Sequence, residues 1–284
     1  MRALTFAVFA VSLAGSPAHA QVDLGFPKEP RHEVVLPGSG MLLTGSALFA
    51  PKGAGPFPAV VLSHSCGGLR QNSFEWASRL VGAGYVALVI DHFGPRKITM
   101  NCWPNYKVNY SVIAQDAAAG MKHLRSLPFV DGKWIAHMGF SMGAMAGLRA
   151  ASPSFRKQHL GRQGFAAVIA FYPWCAPSGP AQEINFHDDT NTPLLVLLGE
   201  KDDEAPTAPC IAQAKRMAAK GMPVSWKLYP NTTHSFDNSL MGDRPFTRQS
   251  GGRTFTYRYN AKSVEQAWGD SREFLARHLG VKKP

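Results

Sequence analysis

Residues 139–143 read GFSMG, a serine with a glycine two positions away on either side, set between the apolar run WIAHMGF and the small-residue stretch AMAGLRAA. A serine hydroxyl is a poor nucleophile unless a base takes its proton, and that base must be held by a carboxylate. G-x-S-x-G between a strand and a helix supplies the first part of such a device. The chain turns so tightly at the serine that only Gly139 and Gly143 fit beside it, and the helix behind aims its N–H groups at developing negative charge. Ser141 is therefore the candidate nucleophile. In this arrangement the partners follow in the order Ser, acid, His, each in a loop after a later strand. LLVLLGEKDDEAP ends one predicted strand and then presents Asp202 and Asp203; WKLYPNTTHSF ends the next and presents His234. Of ten histidines, His234 alone sits in the loop after the last predicted strand. Asp202 is the preferred acid, leaving Asp203 or Glu204 to cap a helix after Pro206. Two backbone donors are needed for an oxyanion. One is the N–H of Met142; the other is assigned to Cys66 in the Gly-rich turn HSCGG (64–68), with Ser65 as the alternative.

The elements that must position these residues are legible as alternating strands and helices. FPAVVLSH (57–64), YVALVID (85–91), WIAHMGF (134–140), FAAVIAFYP (165–173) and PLLVLLGE (193–200) are near-continuous apolar runs. Such runs mark strands covered on both faces, as in a parallel sheet. Between them SFEWASRLVGAG, YSVIAQDAAAGMKHLRSL, MGAMAGLRAA and CIAQAKRMAAKG repeat apolar residues at three and four, which predicts crossover helices. HEVVL and MLLTGSALFAP read as two edge strands joined by a Pro-Gly turn, PVSWKLYP (223–230) as the last strand, and 263–279 as a closing helix. The prediction is an α/β fold of about eight mostly parallel strands with helices on both faces. Residues 237–260 show no sustained period and are expected to form a long loop.

With 284 residues and 45% hydrophobic content the chain can bury one sizeable α/β core. Residues 1–20 combine Arg2, an apolar stretch from Ala3 to Ala14 and a small-x-small end at Ala18-His19-Ala20. That pattern predicts a signal peptide cut after Ala20, a single domain over 21–284, and a periplasmic or secreted protein. Twelve residues are short of the roughly 20 that cross a bilayer, and no later segment is long and apolar enough, so no transmembrane segment is expected. Net charge is +11, with nine Lys/Arg against four Asp/Glu from Met241 onward. No nucleic-acid motif accompanies that charge, and it reads as a solvated basic face. The four cysteines, Cys66, Cys102, Cys175 and Cys210, form no C-x-x-C pair, and HExxH is absent. His187-Asp188-Asp189 reads as a polar loop. No metal and no cofactor are expected.

GPFPAVVLSHSCGG, GYVALVIDHFGPR, GFSMG, LLGEKDD and YPNTTHSF together resemble the successive blocks of the dienelactone hydrolase family, within the α/β-hydrolase fold. The likeness runs from about Glu33 to Leu279. It implies a nucleophile at Ser141, an acid at Asp202 and a base at His234. Two positions depart from the family's usual pattern: a serine replaces the elbow cysteine, and HSCGG lacks the glutamate that controls that thiol. The resemblance also implies Arg96, in DHFGPR, as a counterpart of the arginines that hold a substrate carboxylate. In this fold the pocket walls come from loops after the strands: Phe93 and Trp103, Trp174 of YPWCAP, and Phe236 beside the base. Aromatics there suit an apolar acyl or aromatic group. Neighbouring strands would bring the loops of Cys175 and Cys210 together, making a disulfide feasible. Cys66 and Cys102 also fall in loops after a neighbouring pair, but a bridge there restrains the oxyanion loop, and that pairing stays open.

The function expected is an exported serine hydrolase cleaving a small carboxylic ester or lactone. An acyltransferase using the same triad, and a non-catalytic binding protein on the same fold, are the alternatives. An intact Ser, Asp and His in order argues against the last.

Overall fold

The computed structural model describes residues 32–38, 41–160, 164–176, 186 and 188–280. The leader reading of 1–20 and the His187 of the polar loop lie outside the described residues. Eight strands make one sheet: β1 (His32–Gly38), β2 (Met41–Phe49), β3 (Phe57–Ser63), β4 (Val86–Ile90), β5 (Val130–Phe140), β6 (Ala167–Phe171), β7 (Leu194–Gly199) and β8 (Val224–Tyr229). Their order is β1-β2-β4-β3-β5-β6-β7-β8. β2 runs antiparallel to β1 and to β4, and every pairing from β4 to β8 is parallel.

The continuous apolar runs are the central strands, as covered faces require. β4, β6 and β7 are buried along their whole length. One face is closed by α2 (Tyr110–Ser126), α3 (Met142–Ala150) and α5 (Thr207–Ala219), and the other by α1 (Gln71–Gly82) and α6 (Ala261–His278); a single turn, α4 (Pro153–Phe155), follows α3. Asn109 caps α2 by accepting the Val112 N–H at 3.0 Å. Two well-packed faces fix where the strands end, and the strand ends carry the site. Among the described residues no helix is long and apolar enough to cross a membrane.

Two expectations are corrected. Pro37 and Gly38 do not make the turn between the edge strands; they pair with Leu42 and Met41 inside the β1–β2 ladder. Residues 237–260 are not a structureless loop. After a 3₁₀ turn at Ser239–Met241, β9 (Phe246–Ser250) and β10 (Arg253–Tyr257) form an antiparallel hairpin. Its turn is Gly251-Gly252, both at positive φ (53° and 74°), as a two-residue hairpin turn demands. Phe255 and Tyr257 are the buried alternate positions of β10.

Candidate active site

β5 ends at Phe140, α3 begins at Met142, and Ser141 between them has φ 50° and ψ −108°. A residue other than glycine rarely holds a positive φ, and here the surroundings enforce it. A β-carbon built on Gly143 would lie 2.1 Å from the Ser63 carbonyl oxygen, and one on Gly139 would lie 2.2 Å from the carbonyl oxygen of Gly143. The Ser141 N–H donates to the Phe171 carbonyl of β6 at 2.9 Å. Ser141 is thus fixed at the strand ends, 8% exposed.

The loops after β7 and β8 are joined by main-chain bonds, Glu200 N–H to the Tyr229 carbonyl (3.0 Å) and Lys201 N–H to the Thr232 carbonyl (2.8 Å). This sets Asp202 beside His234. Asp202 Oδ2 lies 2.7 Å from His234 Nδ1, and His234 Nε2 lies 3.0 Å from Ser141 Oγ. The other Asp202 oxygen accepts the N–H groups of Glu204 (3.1 Å) and Ala205 (2.7 Å). With a carboxylate at Nδ1, the neutral ring keeps its proton on that nitrogen and leaves Nε2 to accept from the serine, the tautomer a general base requires. Burial pulls the His234 imidazolium down, but Asp202 and Glu204, with a further contribution from Asp237, outweigh it and raise His234 from 6.5 to about 9.

Asp203 is aimed elsewhere: its two oxygens accept the Thr256 N–H of β10, and neither Asp203 nor Glu204 caps α5, whose first residue follows Pro206. Behind His234, Tyr172 packs its ring 4.6 Å from the imidazole and donates its hydroxyl to Asp237 at 2.6 Å. Asp237 also accepts from Asn72 Nδ2 and Trp76 Nε1. This buried carboxylate holds three side-chain donors, so it anchors the loop that carries the histidine. No sequence motif marks it, because its partners are distant in the chain.

The cavity above Ser141 has a volume of about 300 Å³. Cys66 and Met142, the predicted oxyanion donors, line it; Ser65 does not. As the first residue of α3, Met142 has a main-chain N–H without an acceptor inside the helix. Trp103 and Trp174 are walls, as expected, joined by Tyr106, Tyr110 and Phe255. Phe93 and Phe236 are not. Phe93 is buried with its ring 4.5 Å from that of His64, and Phe236 packs in the core against Tyr172 and Tyr229.

Arg96 is also misplaced by the sequence reading. Its guanidinium makes a two-pronged bond to Asp116, at 2.7 and 3.0 Å, and donates to the His92 carbonyl. Asp116 is fully buried on α2 and needs a charge partner, so Arg96 is committed to the core rather than to the cavity. Asp116 also meets His92 Nδ1 at 3.0 Å, and His92 Nε2 meets Ser63 Oγ at 3.1 Å, beneath the turn that carries Cys66. The arginine that lines the cavity is Arg253, which donates to the Asp203 carbonyl.

Both cysteine pairs are bonded. Cys66–Cys102 joins the Gly-rich turn of Cys66 to the loop of Trp103, and Cys175–Cys210 joins the Trp174 loop to α5. Asp188 and Asp189, predicted as a polar loop, bond Lys220 and Ser152. Among the described residues no group of three or more His, Cys, Asp or Glu could hold a metal ion.

The family model for the dienelactone hydrolase family matches residues 45–279. Esterase FrsA of Escherichia coli K12 is 33% identical over 126 residues, 42% of this chain and 27% of that protein. Esterase FrsA of Klebsiella pneumoniae is 31% identical over 124 residues, 41% of this chain and 27% of that protein. The matched segment therefore spans about a quarter of those relatives. Native esterase 2 of Thermogutta terrifontis superposes with a TM-score of 0.64 at 16% identity, covering 92% of this chain and 98% of that one. A dienelactone hydrolase-like promiscuous phosphotriesterase from metagenomic libraries gives 0.64 at 20% identity, over 88% and 99%. At such identities these two structures establish the shared fold.

Proposed function

Because the chain belongs to the dienelactone hydrolase family, whose model covers residues 45–279, we propose that it hydrolyses carboxylic esters through an acyl-enzyme formed on Ser141. The observation that carries this reading is the continuous relay from Ser141 Oγ to His234 Nε2 (3.0 Å) and from His234 Nδ1 to Asp202 (2.7 Å). Ser141 Oγ attacks the ester carbonyl carbon while its proton passes to His234 Nε2. Asp202 holds the imidazolium that forms, and the Cys66 and Met142 N–H groups receive the negative oxygen. The tetrahedral species expels the alcohol, which takes the proton from Nε2. A water then gives its proton to Nε2 and attacks the acyl carbon, and the acid leaves as Ser141 Oγ regains its hydrogen.

The aromatic walls, Trp103, Tyr106, Tyr110, Trp174 and Phe255, favour an apolar or aromatic acyl group over a polar one. Small lactones fall within the same chemistry, since their ring opening yields an acyl-enzyme whose acyl chain keeps the released hydroxyl. The chain is exported after loss of residues 1–20, and residues 21–284 form one domain; the leader pattern and the two disulfides support this. A panel of p-nitrophenyl esters and small lactones, run with and without a serine-reactive phosphonate, tests the reading. Phosphonate-sensitive turnover of aromatic and medium-chain esters is expected, and no turnover of any ester would overturn it.

A further inference from the structure

Asp202 is not the only carboxylate at His234. Glu204 Oε2 stands 3.7 Å from Nε2, the ring nitrogen that faces Ser141, whereas Asp202 serves Nδ1 on the opposite edge. The Glu204 backbone is tied to the same acid, because its N–H donates to Asp202 Oδ1 at 3.1 Å. The Glu204 carboxylate is held in turn by Tyr257, whose hydroxyl donates to the same Oε2. Tyr257 belongs to the hairpin and its backbone bridges to His234. Glu204 also lines the cavity, and its side chain is 27% exposed there. A carboxylate held at that point by a hairpin hydroxyl, on a backbone bonded to Asp202, is not an incidental surface charge.

We propose that Glu204 is a positioning residue for the reaction: its carboxylate stands on the cavity side of His234 Nε2 and holds the proton there while it passes between serine, leaving group and water. This rests on the ester-hydrolase reading above. In both half-reactions the proton resides on Nε2 while the tetrahedral oxygen is negative. A second negative charge beside Nε2 favours that imidazolium by direct Coulomb attraction, most strongly when substrate has displaced water from the cavity. The same attraction has a cost, since it keeps the free enzyme's histidine protonated, and so inactive as a base, to higher pH.

The other groups facing His234 do not duplicate this. Asp202 acts at Nδ1 and Asp237 lies behind the ring, bonded to Tyr172, Asn72 and Trp76. Tyr172 from the end of β6 and Tyr257 from β10 face the ring as neutral hydroxyls, both pushed up from the usual tyrosine value by burial and nearby carboxylates. Ser141 is uncharged. Among these neighbours only Glu204 brings a negative charge to the proton-accepting edge, and the cation of the same cavity, Arg253, donates to the Asp203 carbonyl.

The test compares wild type with Glu204→Gln, an isostere that removes the charge. The pH midpoint of kcat/KM for a p-nitrophenyl ester is expected to fall by about one pH unit, the size of effect an opposite charge at this range produces after partial screening by solvent. The same shift is expected in an NMR titration of the His234 ring in Ser141→Ala against Ser141→Ala/Glu204→Gln, with the resonance assigned by its loss on His234→Gln. The titration needs no turnover. It therefore still reads the charge effect if Glu204→Gln is inactive, and still reads it if the wild type hydrolyses no ester and the functional reading itself fails. A lowered rate with both midpoints unmoved would make Glu204 a wall residue only and overturn the proposal.

Discussion

Asp203 accepts the Thr256 N–H with both carboxylate oxygens, at 3.1 and 3.0 Å, and so ties the acid loop to the hairpin that roofs the cavity. Its neighbour Asp202 turns the other way, onto His234. The two adjacent aspartates therefore differ in kind, and their asparagine variants should separate. Asp202→Asn should lower kcat by about 10⁴-fold, because an amide cannot hold the imidazole in the required tautomer. Asp203→Asn should leave kcat within a few-fold and raise KM, as the hairpin carrying Phe255 and Arg253 loosens. Steady-state kinetics on the two variants check this, and a larger kcat loss at Asp203 would reverse the assignment.

The elbow depends on contact between backbones. A β-carbon at Gly143 would sit 2.1 Å from the Ser63 carbonyl oxygen, and neither partner is a flexible side-chain tip that can move aside. Gly143→Ala should lose more than about 3 kcal/mol of stability or fail to fold, as buried overpacking against fixed atoms does. Gly269 is the control. It is exposed in the middle of α6, and a β-carbon added there would meet nothing within 4 Å, so Gly269→Ala should gain about 0.5–1 kcal/mol. Denaturant unfolding of the two variants gives both signs.

In the proposed mechanism His234 acts as a base only when neutral, and its neighbours raise it to about 9. Below that value the imidazolium dominates and serine attack is blocked. The rate should therefore climb with pH through neutrality and level off only above about pH 9. A pH profile of kcat/KM with a midpoint at the ordinary histidine value would show that the carboxylates do not act on the ring in solution.

Each disulfide closes a loop, with sequence separations of 36 and 35 residues, at the wall of the cavity. Unreduced peptide mapping should find Cys66 linked to Cys102 and Cys175 linked to Cys210. Reduction should cost roughly 3–4 kcal/mol per bridge by the chain-entropy argument and lower Tm accordingly. It should also raise KM, since Trp103 and Trp174 lie next to Cys102 and Cys175 in the chain. Free thiols at these positions in protein purified without reductant would contradict both pairs.

The central part of the site is readable because it is ordered along the chain. Ser141, Asp202 and His234 each follow a strand of the parallel part of the sheet, and strand ends converge in a parallel sheet whatever the rest of the sequence does. Parts that depend on side-chain partners distant in sequence are not readable. Arg96 looks available in the sequence, but Asp116, fully buried on α2, claims it. Phe236 is adjacent to the histidine loop but points into the core, because backbone direction at a loop cannot be read from spacing. The hairpin escapes the sequence reading although Gly251-Gly252 and the alternation of Phe255, Tyr257 and Tyr259 are its signal; only three positions alternate, too few to stand out from a loop. Glu204 reads as a helix cap by its place before Pro206, and nothing in the sequence says that it will meet a histidine thirty residues on.

Both half-reactions proposed for the site pass through Ser141. The most direct measurement is hydrolysis of a p-nitrophenyl ester by wild type and Ser141→Ala, with mass spectrometry of the phosphonate-treated wild type. The expected result is a folded variant slower by several orders of magnitude, as removal of a triad member gives, and one phosphonyl group on the peptide containing GFSMG. Ester hydrolysis undiminished in Ser141→Ala, or a phosphonyl group on any other peptide, would contradict it.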